Sequence, residues 1–420
     1  MGIAPGVYDA LETRSPTERE ATLMAALPAQ IAHAQLYAAS MRSALQDVDA
    51  LQVTSRAALA KLPVTRKSDL HDLQKAAHAQ QGDVFGGFSA VGYGAHMPRV
   101  FASPGPIYEP EGTSRDYWRI ARALYAAGFR SGELVHNSFS YHFVPAGSMM
   151  ETGAHALGCS VFPAGTGQTE QQVQAMAQLQ PAGYIGTPSF FKIIIEKASE
   201  MGIALPTVKK GMVGGEAFTP SLRDWFTERG IDVYQCFATA DLGSIAYETK
   251  AREGLVVDEG VILEIVRPGT GDTVAEGEVG ELVVTTLNPT YPLIRFGTGD
   301  LTAVLPGHCP TGRTNTRIKG WMGRADQTTK IRGMFVHAAQ VAEIAKRFPE
   351  VAKARLVVSG EMANDAMLLR VETTVQSDGL QAKIADAIRD VTKLRGDVEL
   401  VGAGTLPNDG KVIEDARSYK

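Results

Sequence analysis

Several features of secreted and membrane proteins are scarce in this chain of 420 residues. It has only three cysteines, Cys159, Cys236 and Cys309, and they are scattered. That usage argues against a disulfide framework and favours a reducing compartment. No apolar run approaches the roughly 20 residues that span a bilayer. Residues 1–6 lack the basic and apolar regions of a signal peptide, so we expect a cytoplasmic protein.

A strong charge of either sign is missing as well. Lysine and arginine total 41 against 46 aspartates and glutamates, which gives a net charge of −5. Such a chain offers no basic field for nucleic acid and no attraction to an anionic membrane. What is present is an ordinary globular composition, with 44% apolar and 21% charged residues. A chain of this length predicts two or more domains, because a single hydrophobic core rarely extends over more than about 250–300 residues.

Hydrophobic periodicity predicts a large N-terminal α/β domain over residues 1–323. Helical spacing covers about residues 15–50, and from Tyr117 onward helices alternate with short strands, which is typical of a parallel sheet. The predicted helix–strand pairs are Tyr117–Ala127 with Glu133–Asn137, Met149–Leu157 with Ser160–Pro163, Glu170–Gln178 with Gly183–Gly186, Phe190–Met201 with Lys210–Gly214, and Pro220–Arg229 with Val233–Phe237. Residues 255–305 are glycine-punctuated strands without helices, which predicts an antiparallel β subdomain.

Residues 324–420 predict a second, small α+β domain. About 95 residues suffice for an independent domain. Its predicted helices are Val341–Arg347 and Leu380–Leu394, and its predicted strands are Arg355–Ser359 and Met367–Glu372.

Three motifs follow one another in the second half of the chain. In residues 293–300 we predict an apolar strand that runs into a glycine-rich turn ending at Asp300. A carboxylate at a strand end can accept hydrogen bonds from sugar hydroxyls. A charged turn from Arg324 to Asp326 comes next, and Lys411 follows on a tight loop.

This order of motifs resembles the phenylacetate–CoA ligase family of adenylate-forming enzymes. Other matching segments extend the resemblance over nearly the whole chain: Leu62 to Lys67, Tyr141, residues 165–170, Gly186 to Ser189, Gly214 to Glu216 and Gly280 to Thr286. In that family an acid reacts with ATP to form an acyl-adenylate, the C-terminal domain rotates, and coenzyme A displaces AMP. The resemblance therefore implies ATP, AMP, Mg²⁺ and coenzyme A as cofactors, an aromatic acid as substrate and a mobile C-terminal domain. The resemblance does not decide whether the protein forms a homodimer.

The resemblance also implies roles for individual residues. Lys411 would stabilise charge on the carboxylate and α-phosphate, Asp300 would hold the ribose hydroxyls, and Asp326 would be the hinge. The other implied site residues are Gly214, Gly215, Glu216, Phe237, Ala238 and Arg324 for the nucleotide, Asp241 for magnesium, and Tyr141, Phe143, Ile185 and Gly186 for the acid pocket. Glu216 could instead cap the helix that follows it, and Tyr141 and Phe143 could be core aromatics.

The chain departs from the family pattern where the phosphate loop is expected. A Ser/Thr/Gly-rich loop ending in Lys-Pro is replaced by residues 103–110, with Pro104, Pro106 and, in place of the lysine, Glu109. Prolines have no N–H to donate to an anion. Reversing a unit charge near the phosphates would weaken ATP binding by up to about 8 kcal/mol.

Two further departures concern metals. Ala240, before Asp241, has lost the hydroxyl that the family carries. Some family members bind zinc, but Thr249, Val256 and Thr311 replace three of the four ligands and only Cys309 remains. One thiolate cannot hold structural zinc, so we predict a protein without it.

Two functions stay open from the sequence. In the first, the chain is an AMP-forming acid–CoA ligase with a rebuilt phosphate loop, in which Arg295 or Lys319 could share the charge of pyrophosphate. In the second, it is a non-adenylating relative that binds a nucleotide or CoA thioester as a sensor, scaffold or partner subunit. Retention of Asp300, Arg324 and Lys411 favours the ligase.

Overall fold

The computed structural model describes residues 6–417 except 268, 323, 326–328, 333, 337, 362–363, 374–378 and 408–411. The chain forms two compact units, Met1–Gly323 and Arg324–Lys420. Two hydrophobic clusters make up the core of the first unit, and a third makes up the core of the second. Among the described residues, no helix has the length and hydrophobicity needed to cross a membrane.

Helices of the first unit begin at recognisable caps. Ser15 and Glu18 form a capping box at the start of the longest helix, and Thr187 and Thr219 each cap a helix whose first residue is proline. A hydroxyl before proline is a strong start signal, because it accepts a backbone N–H that has no partner within the helix. The helices are α1 (Pro16–Tyr37), α2 (Ala39–Ala44), α3 (Arg56–Leu59), α4 (Lys67–Gln81), α5 (Ala121–Ala126), α6 (Ala146–Leu157), α7 (Thr169–Leu179), α8 (Pro188–Glu200) and α9 (Pro220–Thr227).

Strands of the first unit form a nine-stranded sheet, a four-stranded sheet and a hairpin. They are β1 (Thr65–Arg66), β2 (Arg99–Ser103), β3 (Ile107–Glu111), β4 (Leu134–Asn137), β5 (Ser160–Pro163), β6 (Gly183–Gly186), β7 (Lys210–Val213), β8 (Asp232–Thr239), β9 (Gly243–Glu248), β10 (Leu255–Val257), β11 (Val261–Val266), β12 (Gly280–Thr286), β13 (Phe296–Thr302), β14 (Val304–Leu305) and β15 (Arg317–Ile318). The large sheet has the order β14-β15-β10-β9-β8-β7-β6-β4-β5, the small sheet has the order β1-β13-β12-β11, and β2 pairs with β3.

The parallel part of the large sheet runs from β5 to β8, and from β8 to β15 its pairs are antiparallel. Helices α6 to α9 connect or flank the parallel strands, as the sequence predicts. In such sheets ligands bind beyond the carboxyl ends of the strands. The segments that follow β4, β6, β7 and β8 therefore share the edge where a ligand is expected.

The helix predicted at Tyr117–Ala127 is shorter in the structure. Its first turn is displaced because the Asp116 carboxylate accepts the backbone N–H groups of Ile120 and Ala121, at 2.9 and 3.0 Å. Arg119 has a left-handed φ of 59°, which a continuous helix excludes. Helix α5 thus begins only at Ala121.

The second unit is a small α+β domain. Its helices are α10 (Ala338–Lys346) and α11 (Leu380–Thr392), and its strands are β16 (Thr329–Ile331), β17 (Met334–Val336), β18 (Val351–Glu361), β19 (Asn364–Thr373), β20 (Asp397–Val401) and β21 (Ile413–Asp415). Strands β18 to β21 form a four-stranded sheet in the order β20-β19-β18-β21, and β16 pairs with β17. Together the two units confirm the predicted fold class: a large α/β unit with an antiparallel β part, followed by a small α+β unit.

Candidate functional site

Asp300 lies inside strand β13, which corrects the prediction of a turn at its position. Strand β12 pairs Val283 with Gly297 but Glu281 with Leu301, so residues 298–300 face a single residue of β12. This β-bulge depends on Gly299, whose φ of 74° is accessible to glycine. Bulges of this kind re-aim side chains next to active sites. The glycines seen in the sequence therefore bend a strand and do not end it.

Hydrogen bonds of Thr298 hold the bulge in place. The Thr298 hydroxyl donates to the Leu282 carbonyl and accepts the Asp300 backbone N–H, both at 3.1 Å. Asp300 as a whole is 8% exposed, and its Oδ1 accepts the indole N–H of Trp321 at 3.1 Å. A carboxylate can accept several hydrogen bonds at once, and sugar hydroxyls are suitable donors.

The loop after β7 carries Gly214, Gly215 and Glu216 at the carboxyl edge of the large sheet. Gly215 has a φ of 79°, and a Cβ there would lie 3.6 Å from the Phe139 ring. Glu216 Oε1 accepts the backbone N–H of Ser189, at 2.7 Å, in the first turn of α8. The alternative role predicted for Glu216 is thus corrected: it caps the preceding helix, while Thr219 caps α9.

Phe237 and Ala238 lie near the carboxyl end of β8. The pairing with β9 shifts between these two residues, which marks a bulge. Both are half-buried, and they pack against different hydrophobic clusters of the first unit. Phe237 therefore keeps part of its ring accessible at the edge where a ligand is expected.

The four residues predicted for the acid pocket have different surroundings. Ile185 and Gly186 are buried in β6, and a Cβ on Gly186 would lie 2.1 Å from the Tyr184 hydroxyl. The half-buried Tyr141 hydroxyl accepts a hydrogen bond from Asn137 at 2.8 Å and donates one to Glu151 at 2.7 Å. Burial, with Glu151 adding to it, raises the pKa of Tyr141 well above its ordinary value, so the hydroxyl stays protonated.

Phe143 is not a core aromatic, which corrects that alternative, while its place in the acid pocket stays a prediction. Its side chain is 80% exposed. The backbone has a φ of 61°, and Val144 N–H bonds to the His142 carbonyl at 2.7 Å, which closes a γ-turn around Phe143. Positive φ is uncommon for a bulky residue and strains the backbone.

The segment predicted to be a phosphate loop forms the β2–β3 hairpin. Its turn, Pro104 to Pro106, is exposed and contains one backbone N–H donor, on Gly105. Gln74 of α4 holds the following strand by accepting the Tyr108 N–H at 2.8 Å and donating to the Tyr108 carbonyl at 2.9 Å. The hairpin is thus a fixed, amide-poor element.

Glu109 points into the protein and is fully buried. It accepts hydrogen bonds from the backbone N–H of Ser103, at 3.2 Å, and from the Ser103 hydroxyl. Burial, reinforced by nearby Asp241 and opposed by Lys67, raises the pKa of Glu109 to about 8. The carboxyl is therefore mostly protonated near pH 7. The charge-reversal argument made from the sequence loses its premise, because it requires an ionised Glu109 beside the phosphates.

Lys67 is a candidate residue that the sequence does not single out. Its ammonium lies 2.5 Å from Oδ2 of Asp241, whose side chain is fully buried. Oδ1 of Asp241 is also buried and has no hydrogen-bond partner in the described parts of the chain. Lys67 is the first residue of α4, where the helix dipole disfavours a cation, so Asp241 must offset that cost.

Strand β1 places Lys67 close to the strand of Asp300. β1 runs parallel to β13 with Arg66 opposite Gly297, so Lys67 follows at the level where the Thr298–Asp300 bulge begins. The Lys67–Asp241 pair and the Asp300 bulge are therefore neighbours in the fold. The sequence signal for Lys67 is the Leu62–Lys67 segment, which resembles the family but to which the sequence analysis assigns no role.

Arg295 and Lys319, the two cations proposed to share the pyrophosphate charge, are not equivalent. Arg295 is 1% exposed and donates to Glu264 at 3.0 Å. Its other nitrogens donate to the carbonyls of Ala60, Leu62 and Gly271. It is a structural cross-link, which corrects the proposal. Lys319 is exposed.

The positions that hold zinc in some family members do come together. The Cys309 thiol lies 3.8 Å from the Thr249 hydroxyl and 3.0 Å from that of Thr311, and Val256 packs in the same cluster as Cys309. Threonine hydroxyls do not replace the thiolate and imidazole ligands that zinc prefers. Within the residues that the structure describes, no three His, Cys, Asp or Glu side chains are arranged to hold a metal ion. The absence of zinc from the protein stays a prediction.

The remaining predicted residues belong to the second unit. Arg324 is its first residue and is half-buried. Asp326 and Lys411 lie outside the described residues. Their assigned roles stay predictions.

Comparison with known proteins gives consistent results. Residues 116–289 match the family model of AMP-binding enzymes. The chain is 31% identical over 393 residues to the phenylacetate–coenzyme A ligase of Aromatoleum evansii, with 89% of this chain and 86% of that one covered. It is also 31% identical over 337 residues to the phenylacetate–coenzyme A ligase of Thermus thermophilus, with 75% and 72% covered.

A solved structure with the same fold is 2-hydroxyisobutyryl-CoA ligase in complex with 2-HIB-AMP and CoA. The TM-score is 0.80 at 24% sequence identity, and the match covers 97% of this chain and 92% of that one. At this identity the likeness shows the fold.

Proposed function

Since the chain belongs to the phenylacetate–CoA ligase family of adenylate-forming enzymes, we propose that it activates an aromatic carboxylic acid with ATP and Mg²⁺. The acyl-adenylate then passes its acyl group to coenzyme A. The observation that carries the proposal is the Asp300 bulge, which presents a carboxylate that accepts the indole N–H of Trp321. A carboxylate oriented in this way suits the two hydroxyls of a ribose.

The nucleoside would lie at the carboxyl edge of the sheet. Asp300 would accept the ribose hydroxyls, and the Gly214–Gly215 backbone would face the adenine, since Gly215 has no side chain to keep it away. Phe237 would offer an aromatic face for stacking. Arg324 would lie near the sugar and phosphate, and Lys411 would stabilise the charge that develops during adenylation.

The phosphates would meet Lys67 and Asp241 and not Glu109. Oδ1 of Asp241 is one of three buried carboxylate oxygens that lack a hydrogen bond among the described residues, with those of Glu259 and Glu264, and it fits a single protein ligand to Mg²⁺. Magnesium commonly takes one or two carboxylates and fills its other positions with water and phosphate oxygens. When bound, it would neutralise phosphate charge. Lys67 would hold Asp241 in position and add a cation to that side of the site.

The aromatic substrate class is supported by the two relatives and not by a defined pocket. Tyr141 and Phe139 lie after β4 at the ligand edge, and Phe139 is in contact range of the Gly215 position. An acid placed against them would meet apolar rings and the protonated Tyr141 hydroxyl. Such a lining suits an aryl group better than a small polar one.

The second function, nucleotide binding without adenylation, has one observation in its favour. The Pro104–Pro106 turn offers a single backbone N–H, which is poor support for β- and γ-phosphates. A sensor or scaffold would need Asp300 and the glycines but not Lys411.

An ATP–pyrophosphate exchange assay tests the proposal. Purified protein is given Mg²⁺, ATP and a panel of aryl acids, with 2-hydroxyisobutyrate as the aliphatic comparison. We expect exchange that depends on an aryl acid and a CoA thioester when coenzyme A is added. AMP binding without exchange for any acid would support the second function instead. Exchange strongest with the aliphatic acid would overturn the aromatic assignment but leave the ligase activity.

A further inference from the structure

Trp321 donates its indole N–H to the same carboxylate that the proposed function assigns to ribose. The distance from Nε1 to Asp300 Oδ1 is 3.1 Å. Trp321 is one of three tryptophans in the chain, and it is 40% exposed, whereas Trp118 is 2% exposed. A large ring that remains this exposed while its N–H is directed at a carboxylate calls for a reason beyond core packing.

Backbone bonds fix the segment that carries Trp321 along the end of β13. Lys319 N–H donates to the Ala303 carbonyl at 2.9 Å, and Met322 N–H donates to the Leu301 carbonyl at 2.8 Å. The Thr302 hydroxyl donates to the Gly320 carbonyl at 2.6 Å. Residues before and after Trp321 are thus bonded along the end of β13, and these bonds hold Trp321 next to Asp300.

We propose that Trp321 is a positioning residue for Asp300 and forms one side of the ribose site. Its N–H donates to Oδ1 and sets the plane of the carboxylate that the proposed function directs at the sugar hydroxyls. This inference rests on the proposed nucleotide site. It adds a residue, Trp321, that favours nucleotides with ribose hydroxyls because it orients the one carboxylate that accepts them.

Geometry also brings the sugar against the indole. A hydroxyl that donates to a carboxylate lies about 2.5–2.7 Å from its oxygen. Because the indole nitrogen is 3.1 Å from the same group, a ribose bound there lies beside the exposed ring. Binding should therefore change the fluorescence of Trp321, while the buried Trp118 is shielded.

The central experiment compares two ligands on two variants. Calorimetry measures AMP and 2′,3′-dideoxy-AMP binding to the wild type, to Trp321→Phe and to Trp225→Phe. Trp225 is the matched control, because it lies on α9 and its ring contacts Phe226, Lys192 and Arg229. We expect Trp321→Phe to weaken AMP about tenfold, as loss of a hydrogen bond to a charged group does. Dideoxy-AMP should be nearly unaffected, and Trp225→Phe should change neither.

Fluorescence and a rescue variant provide independent readouts. AMP should change the emission of the wild type and of Trp225→Phe but not of Trp321→Phe. Trp321→His, which can retain a ring N–H, should recover part of the discrimination between AMP and dideoxy-AMP. A purely structural role would weaken both nucleotides equally and would not respond to histidine.

The outcomes separate this inference from the proposed function. If wild type binds AMP in preference to dideoxy-AMP and Trp321→Phe does the same, the role of Trp321 is overturned and the nucleotide site stands. If wild type binds no AMP, both are overturned. Equal weakening of both nucleotides in Trp321→Phe also overturns the positioning role.

Discussion

Asp300 and Glu109 are two carboxyl groups in the first unit that the fold treats in opposite ways. Asp300 lies on a bulge, 8% exposed, and takes a hydrogen bond from an exposed indole. Glu109 lies in a hairpin, fully buried, and takes its hydrogen bonds from Ser103. Burial raises the pKa of Glu109 to about 8, so near pH 7 it is mostly neutral. An aspartate or glutamate in the sequence is therefore ionised in the folded protein only where its carboxyl group is hydrated or paired with a cation or hydrogen-bond donors.

The difference extends to what surrounds each group. Asp300 directly follows Gly299, whose positive φ bends the strand. Glu109 lies near the Lys67–Asp241 pair, so its neutral form avoids a second negative charge beside Asp241. The proposed nucleoside side of the site is thus preorganised around Asp300, and the hairpin side is closed.

Removing the cation from the closed side should have the largest effect. Lys67→Met leaves Asp241 buried without a counter-charge, and breaking a buried pair costs about 3–5 kcal/mol of unfolding free energy. Urea denaturation measures the loss. Lys67→Met with Asp241→Asn should recover most of it, and Lys75→Met, exposed on the same helix, should change little. A Lys67→Met protein as stable as wild type would contradict a buried, paired Asp241.

If the hairpin contributes no cation to the phosphates, Lys411 should carry much of that task. We expect Lys411→Ala to slow adenylation by on the order of 10²–10³. Transfer from a supplied acyl-adenylate to coenzyme A should stay largely intact. Pyrophosphate exchange measures the first step and thioester formation the second. Equal losses in both steps would remove the assignment of Lys411 to adenylation.

Glu109→Gln tests whether the buried carboxyl is neutral. Below its ordinary pKa of 4.5 the group is protonated in folded and unfolded chains alike. Between that value and about 8 only the folded chain keeps the proton, so the free energy of unfolding falls as pH rises through this window. The slope is on the order of 1 kcal/mol for each pH unit.

Glutamine does not titrate, so the stability of Glu109→Gln relative to wild type should rise from pH 5 to pH 8. Denaturation curves at several pH values measure the difference. Glu276→Gln, at an exposed loop position, is the control and should run parallel to wild type. A pH-independent difference for Glu109→Gln would mean that Glu109 is ionised in the fold.

The smallest expected effect concerns the turn that supports the hairpin. The Phe143 carbonyl accepts the N–H of Ala102 in β2, at 2.8 Å, and Phe143 itself has a φ of 61°. Phe143→Gly relieves that strain and should raise the free energy of unfolding by about 0.5–1 kcal/mol, after the entropy that glycine adds to the unfolded chain. Phe143→Ala keeps the Cβ and should show no gain. Thermal denaturation of the two variants compares them, and equal stabilities would show that the turn is unstrained.

Much of the fold follows from local sequence pattern. Ser160–Pro163 and Gly183–Gly186 are strands with the predicted bounds. Helices α8 and α9 start at Thr-Pro pairs, where a hydroxyl cap precedes a residue with no N–H. Prediction failed where a distant or unusual contact overrides the pattern. Asp116 delays the start of α5, and the bulge at Gly299 continues a strand that the glycines suggested would end.

The candidate site shows the same division. The sequence points to Asp300, Gly214 and Gly215 because short motifs carry them. It does not point to Lys67, whose partner Asp241 is 174 positions away. The sequence also does not predict that Arg295 donates hydrogen bonds to three backbone carbonyls, or that Phe143 is exposed.

The sequence by itself determined the alternation of helices and strands, the family and the order of the motifs, because periodicity, capping and short motifs act over a few residues. Only the tertiary structure decided which charges persist and what they face. Ionisation depends on burial and on partners brought from distant parts of the chain. Asp300 meets Trp321 because the segment after β15 returns along β13, and Glu109 is neutral because a hairpin buries it beside Asp241.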